Sequence, residues 1–218
     1  MPYPSIIRGW NCILDWIAPL RCPLCGERLD EMPACRRCRL PDPALRRRQL
    51  RLDRRGPFLL LAGGDYQGAL RRLVHAFKYH ADPGAAALLL AQARLVLPAR
   101  LLWDALVPVP TPRQRIRARG GEPVAEFASR LAVVTGLPVR RVLRRAQATP
   151  PLAGRGSVER RRLVRGAFRA QGAAGRLLVI DDVATTGATF RACRRVLLCA
   201  GAVSVDLLVA AATPRRLF

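Results

Sequence analysis

The chain has 218 residues, half of them hydrophobic and 24% charged, with a formal net charge of +23. That is enough apolar material for one main domain with a sizeable core and a small appendage. No run of about 18 uninterrupted apolar residues occurs, so no transmembrane helix is expected. All but one of the 38 cationic side chains is arginine, and Asn11 is the only asparagine. Coding bias accounts for arginine in place of lysine. It does not account for the excess of base over acid, which favours anionic partners: phosphorylated small molecules, or a polynucleotide.

The first twenty residues, MPYPSIIRGWNCILDWIAPL, are apolar but broken by Asn11, Asp15 and prolines. With no small-x-small cleavage site, they read as a short helix packed on the body and not as a signal peptide. A cytoplasmic protein is expected. Next come Cys22, Cys25, Cys35 and Cys38, two CxxC pairs nine residues apart. Four thiolates at that spacing suit a closed, structural tetrahedral zinc site; disulfides are the alternative. Cys193 and Cys199 are expected as small core residues. The Pro- and Arg-rich stretch from Arg39 to Phe58 lacks a sustained apolar period and reads as a linker. It divides an N-terminal module, residues 1–50, from a main domain, residues 51–218.

The main domain alternates strands and helices, which implies a mainly parallel α/β sheet flanked by helices. Phe58–Tyr66 is a strand and turn. Leu70, Leu73, Val74 and Phe77 mark a helix face that ends at Lys78. Gly84–Leu97 is a second helix, and Asp104–Pro110 a strand stopped by prolines. Pro108–Gly121 reads as a basic loop. Its Arg113, Arg115, Arg117 and Arg119 would cradle a pyrophosphate bidentately, or form a solvated loop. Lys78, the lone lysine, is either a placed point charge or an ordinary surface cation near a helix end. Val124, Phe127, Ala128 and Leu131 mark a further helix, with Glu126 and Arg130 paired at i, i+4. Arg145–Phe168 is long, polar and rich in Gly and Pro, the composition of a lid that excludes water. Val203–Ala212 is a last strand.

Leu177–Phe190, LLVIDDVATTGATF, carries the chemistry. Leu177–Ile180 suits a strand buried on both faces, and Asp181 and Asp182 mark its carboxyl end. Thr185, Thr186 and Gly187 form a small turn at the start of a helix whose buried face is Phe190, Cys193 and Leu197. Free N–H groups and hydroxyls there suit a phosphate. The paired carboxylates suit sugar hydroxyls or a divalent cation. A phosphorylated sugar satisfies both halves.

This run resembles the thirteen-residue phosphoribosyl pyrophosphate (PRPP) binding motif of type I phosphoribosyltransferases. The order of parts resembles the ComF family: the four-cysteine module, FKYHAD, VPVP…RARGG, ERRRLVRGAF and the terminal motif. Departures from the family pattern fall at Gly121–Pro123, at Pro150 and Pro151, and at Leu163. The resemblance implies a type I phosphoribosyltransferase-like domain with an N-terminal zinc ribbon. It also implies PRPP binding with Mg²⁺, and a role in DNA uptake during transformation, with single-stranded DNA and the uptake machinery as partners. The alternative is an active phosphoribosyltransferase of nucleotide metabolism. In this reading Asp181 and Asp182 orient the ribose hydroxyls or the hydrated metal. Ala184, Thr185, Thr186, Gly187, Ala188 and Thr189 hold the 5′-phosphate. Lys78, Arg113, Arg117, Arg119 and Arg160 are the pyrophosphate and lid cations.

Overall fold

The computed structural model describes residues 21–28, 47–146 and 166–213. In chain order these give β1 (Arg47–Asp53), β2 (Gly56–Ala62), α1 (Gly68–His80), α2 (Pro83–Val96), β3 (Ala105–Pro108), α3 (Arg113–Arg119) and α4 (Pro123–Thr135). There follow β4 (Leu143–Arg145), β5 (Phe168–Ala170), β6 (Gly175–Ala184), α5 (Ala188–Cys199) and β7 (Ala202–Ala212). The main sheet has the order β1-β2-β7-β6-β3, and β4 with β5 forms a separate two-stranded ribbon. Only the β1–β2 pair is antiparallel in the main sheet; the other three pairings are parallel.

The strands that read as continuous apolar runs are the ones buried on both faces. Leu177, Leu178, Val179 and Ile180 are fully buried, as are Ala105–Val107 and Leu207–Ala212. Burying both faces of such a strand requires a helical layer on each side. Helices α1, α2 and α4 pack together on one side, and α5 packs against β7 and β5. Every residue used to define the helix faces of α1, α4 and α5 is buried. Asp82 caps α2 by accepting from the Ala85 N–H at 2.7 Å, with Pro83 in the first turn. At Gly63 the sheet tolerates no side chain, because a Cβ there would lie 2.6 Å from the Ala210 carbonyl oxygen. The exposed edge of β3 is covered by the 138–140 segment, through Leu106 N–H to Pro138 and Arg140 N–H to Leu106.

Three elements and one cysteine differ from the sequence reading. Arg47–Asp53, read as linker, is an edge strand that turns through Arg54 and Arg55 into β2. Its residues, RRQLRLD, carry apolar side chains only at Leu50 and Leu52, too few to show a strand period. Arg113–Arg119, read as loop, is a short helix, started by Pro112 and stopped by Gly120 at φ 72°. Strand β6 does not end at the acidic pair but continues to Ala184, paired with β7 as far as Ala212. Cys199 is exposed at the end of α5, whereas Cys193 is buried as expected. Of the proposed lid, the flanks Arg145 and Phe168 are ladder partners in the β4–β5 ribbon; the intervening stretch lies outside the described residues.

The β1–β2 hairpin is tied to α5 by one buried cation. Arg194 pairs with Asp53 and donates to the carbonyls of Arg55 at 3.2 Å, Pro57 at 3.0 Å and Val205 at 3.4 Å. Its guanidinium carbon lies 5.5 Å from the Phe58 ring centroid, and Phe58 in turn packs on Phe190 at 4.8 Å. Each guanidinium nitrogen thus finds an acceptor, which is the condition under which a buried arginine is tolerated. Among the described residues no helix is long and apolar enough to cross a membrane. Replacing Arg194 by Met leaves Asp53 buried beside unpaired carbonyls. It should cost about 3–5 kcal/mol of stability, measured by urea unfolding. A loss below about 1 kcal/mol would show that the hairpin is held by its apolar contacts alone.

Candidate phosphate and carboxylate site

Strand β3 ends at Pro108 opposite Ile180, so Asp181–Ala184 project beyond it at the carboxyl end of the sheet. Past Ala184 the chain bends through Thr185 and Thr186 to Gly187, which begins α5 at φ 66°. That left-handed value is cheap for glycine and costly for most other residues. No side chain caps the first-turn N–H groups of α5, so they remain available as donors. The turn is held from outside: Arg191 donates to the Thr186 carbonyl at 2.8 Å, and Thr213 donates to that of Thr185 at 3.0 Å. Ala184, Thr185, Thr186, Gly187, Ala188 and Thr189 all line one cavity of about 510 Å³, with Tyr66 and Arg115 on its walls. The sequence assigned these six residues together, and the structure brings them together. N–H groups and hydroxyls at a helix start are donors toward an anion.

A second cavity of about 230 Å³ adjoins the first, and Arg115, Asp181, Val183 and Thr189 line both. Its other polar walls are Lys78, Thr111, Gln114, Arg119, Arg145 and Asp182. Lys78 reaches across from α1 to Asp182, with Nζ 2.7 Å from Oδ2. Asp181 accepts the N–H of Asp182 at 2.9 Å. Burial, followed by the charge of Asp182, pushes the Asp181 carboxyl up to about 7; the Asp182 N–H, Lys78 and Arg145 oppose the rise. Arg145 donates to the Pro110 carbonyl at 3.1 Å and stacks over Phe168, 5.0 Å from its centroid. Burial holds this guanidinium below its ordinary range.

The basic segment divides by helical geometry. Residues four apart share a face of a helix, so Arg115 and Arg119 line the cavity while Arg113 and Arg117 do not. Arg119 is also anchored on α1, by a 3.1 Å hydrogen bond to the Tyr79 hydroxyl and a cation–π contact at 4.6 Å. Thr111, Gln114, Tyr66 and Arg145 were missed as site residues. Arg145 stood at the start of a presumed loop, and no sequence pattern marks it as the end of a strand. Arg160 lies outside the described residues. Of the cysteines, Cys22 is buried and Cys25 exposed, on a tight turn. There Gly26 has φ 77°, its N–H bonds the Cys22 carbonyl at 2.8 Å, and Arg21 pairs with Arg28. Cys35 and Cys38, the other two cysteines of the expected zinc set, lie outside the described residues.

The raised Asp181 carboxyl has a stability consequence in the ligand-free protein. Between the unfolded value near 4 and about 7, the folded state holds a proton that the unfolded state has lost. Stability therefore falls as pH rises through this window. Asp181→Asn removes the titration, so the variant should gain melting temperature over wild type at pH 8 and show less gain at pH 4. An equal difference at both pH values would mean that folding does not raise the Asp181 carboxyl above its unfolded value.

No protein-family model matches the chain, and no curated protein does. Among solved structures, it is similar to the glutamine PRPP amidotransferase from B. subtilis complexed with ADP and GMP. The identity is 19% over 63% of this chain and 30% of that one, with a TM-score of 0.40. A structure of the allosteric regulatory enzyme of purine biosynthesis matches at 20% identity over the same shares, also with a TM-score of 0.40. The orotate phosphoribosyltransferase from Aeropyrum pernix matches at 18% identity over 78% of this chain and 89% of that one, with a TM-score of 0.31. The aligned part spans less than a third of the first two chains.

Proposed function

We propose that this chain binds PRPP, and that it does so as a ComF-like protein of DNA uptake. The observation that carries the reading is the pair of adjoining cavities. One is lined by the hydroxyls and N–H groups of Thr185–Thr189, and the other by two carboxylates facing four cations. A 5′-phosphate suits the first cavity and a pyrophosphate the cations of the second, with the ribose hydroxyls between them at Asp181 and Asp182. The carboxylates also fit Mg²⁺, since they supply hard oxygen donors and a cation between them would offset the charge of Asp182 on the buried Asp181. Bound there with the pyrophosphate, the ion would neutralise its charge. Lys78 holds Asp182 in place, and Arg115 stands where both cavities meet. The order of motifs and the net charge of +23 support a role in handling single-stranded DNA, and a location in the cytoplasm. The alternative reading, an active phosphoribosyltransferase, shares the same site.

Asp181→Asn and Asp182→Asn should each weaken PRPP binding by about 1.5–3 kcal/mol, the worth of a charged hydrogen bond, in calorimetric titrations with PRPP and Mg²⁺. Thr186→Val should weaken it as well. Wild-type binding by all three variants would overturn the reading. Pyrophosphate release with an acceptor base, lost in the same variants, would make the protein an enzyme. Failed transformation without such release would make it a PRPP-dependent uptake factor.

We further propose one structural zinc held by Cys22, Cys25, Cys35 and Cys38. Metal analysis should give one zinc per chain. Cys35→Ser should release it while the main domain's unfolding transition stays where it is, because that domain has its own core. Pure protein with intact thiols and no zinc would sink this assignment.

A further inference from the structure

A second cleft lies on the other side of Arg145, between the β4–β5 ribbon and the C-terminal half of α5. Its volume is about 1040 Å³, and Arg145 lines both this cleft and the carboxylate cavity. Its described lining contains five arginines and no carboxylate. Arg141 is compensated by Glu122 at 3.0 Å, outside the cleft. Arg144 and Arg169 are the informative pair. They are directly opposed across the antiparallel ribbon, and both are exposed. Like charges in that position destabilise a strand pair, and this ribbon is only three residues long on each side. Arg195 approaches the same space from α5, one turn before the apolar end of the helix. Between the cations, Val142 and Val196 offer a partly buried apolar floor.

We propose that this cleft is a separate binding site for a nucleoside polyphosphate. Phosphates would lie across Arg144, Arg169 and Arg195, where they relieve the cross-strand repulsion, and the flat base would lie on Val142 and Val196. The size favours a single nucleotide: the cleft is at the upper end of small-molecule sites. A three-residue ribbon is about 10 Å long, too short to track a polynucleotide backbone. The proposal does not depend on PRPP binding in the neighbouring cavities.

Calorimetric titration of adenosine triphosphate without metal tests it. Arg144→Gln/Arg169→Gln should weaken binding at least tenfold, while melting no lower than wild type because a like-charge pair is gone. Arg195→Gln, on a different element, should weaken it at least threefold. Arg115→Gln, at the first site, should change it less than twofold. If Arg115→Gln abolishes binding and the ribbon variants do not, the nucleotide occupies the carboxylate site and the proposal is overturned. It is equally overturned if wild type binds no adenosine triphosphate, or if a ten-residue deoxythymidine strand binds through Arg144 and Arg169 more tightly than the nucleotide does. Failure of this test leaves the Thr186→Val result untouched, so the two readings fall separately.

Discussion

Consecutive residues of a strand point to opposite faces of its sheet, and Asp181 and Asp182 are consecutive. Their carboxylates are thereby kept apart, and each meets a different helical layer. Asp182 turns toward α1 and finds Lys78 at 2.7 Å. Asp181 lies close enough to Cys193 of α5 to raise that thiol, and it feels the charges of Asp182, Lys78 and Arg145. Two acids placed i, i+2 would share one face and repel at short range. The alternation lessens that repulsion without removing it, since the charge of Asp182 still raises the Asp181 carboxyl, and the overhang of β6 beyond Pro108 leaves both open to one cavity. The rest of the site is arranged around this: a cation on one side, a guanidinium on the other, and the hydroxyl turn one step further along the chain.

Holding a carboxylate in a buried place opposes folding, and the compensation lies elsewhere in the molecule. The strands beneath the site are fully buried aliphatic runs, the strongest source of stability available to a sheet. At the opposite end, Asp206 accepts from the Leu59 N–H at 2.6 Å and from Trp103 Nε1 at 2.8 Å, which ties β2 and the approach to β3 onto β7. Arg194 does the same for the hairpin. These contacts are far from the carboxylates, so the site's own residues are free to serve a ligand.

The elements with a continuous or helical apolar period were legible in the sequence: Leu177–Ile180, Asp104–Pro110, and the faces of α1, α4 and α5. So was the Thr185–Gly187 turn at the start of α5, since glycine answers a local demand for a positive φ. What was not legible depends on partners distant in sequence. Arg47–Asp53 becomes a strand only because β2 offers it an edge. Arg115 and Arg119 separate from Arg113 and Arg117 only once the segment is a helix. Arg145 enters the site through a strand of three residues, too short to show any period. Lys78 stood out because the chain uses no other lysine, yet its partner Asp182 lies about a hundred positions away and no local pattern joins them.

The last described strand in sequence, β7, lies in the interior of the sheet, between β2 and β6. In the sheet, the β1–β2 hairpin joins the β6–β3 half through β7 alone. Without β7, the β1–β2 hairpin and the β6–β3 pair would each present an unpaired inner edge. Such exposed edges invite pairing with other chains. Pairing of β7 with β2 and β6 closes the sheet. The same strand brings Ala212 to Asp65 and Tyr66, so the wall of the Thr185–Thr189 cavity depends on the strand that joins the two halves.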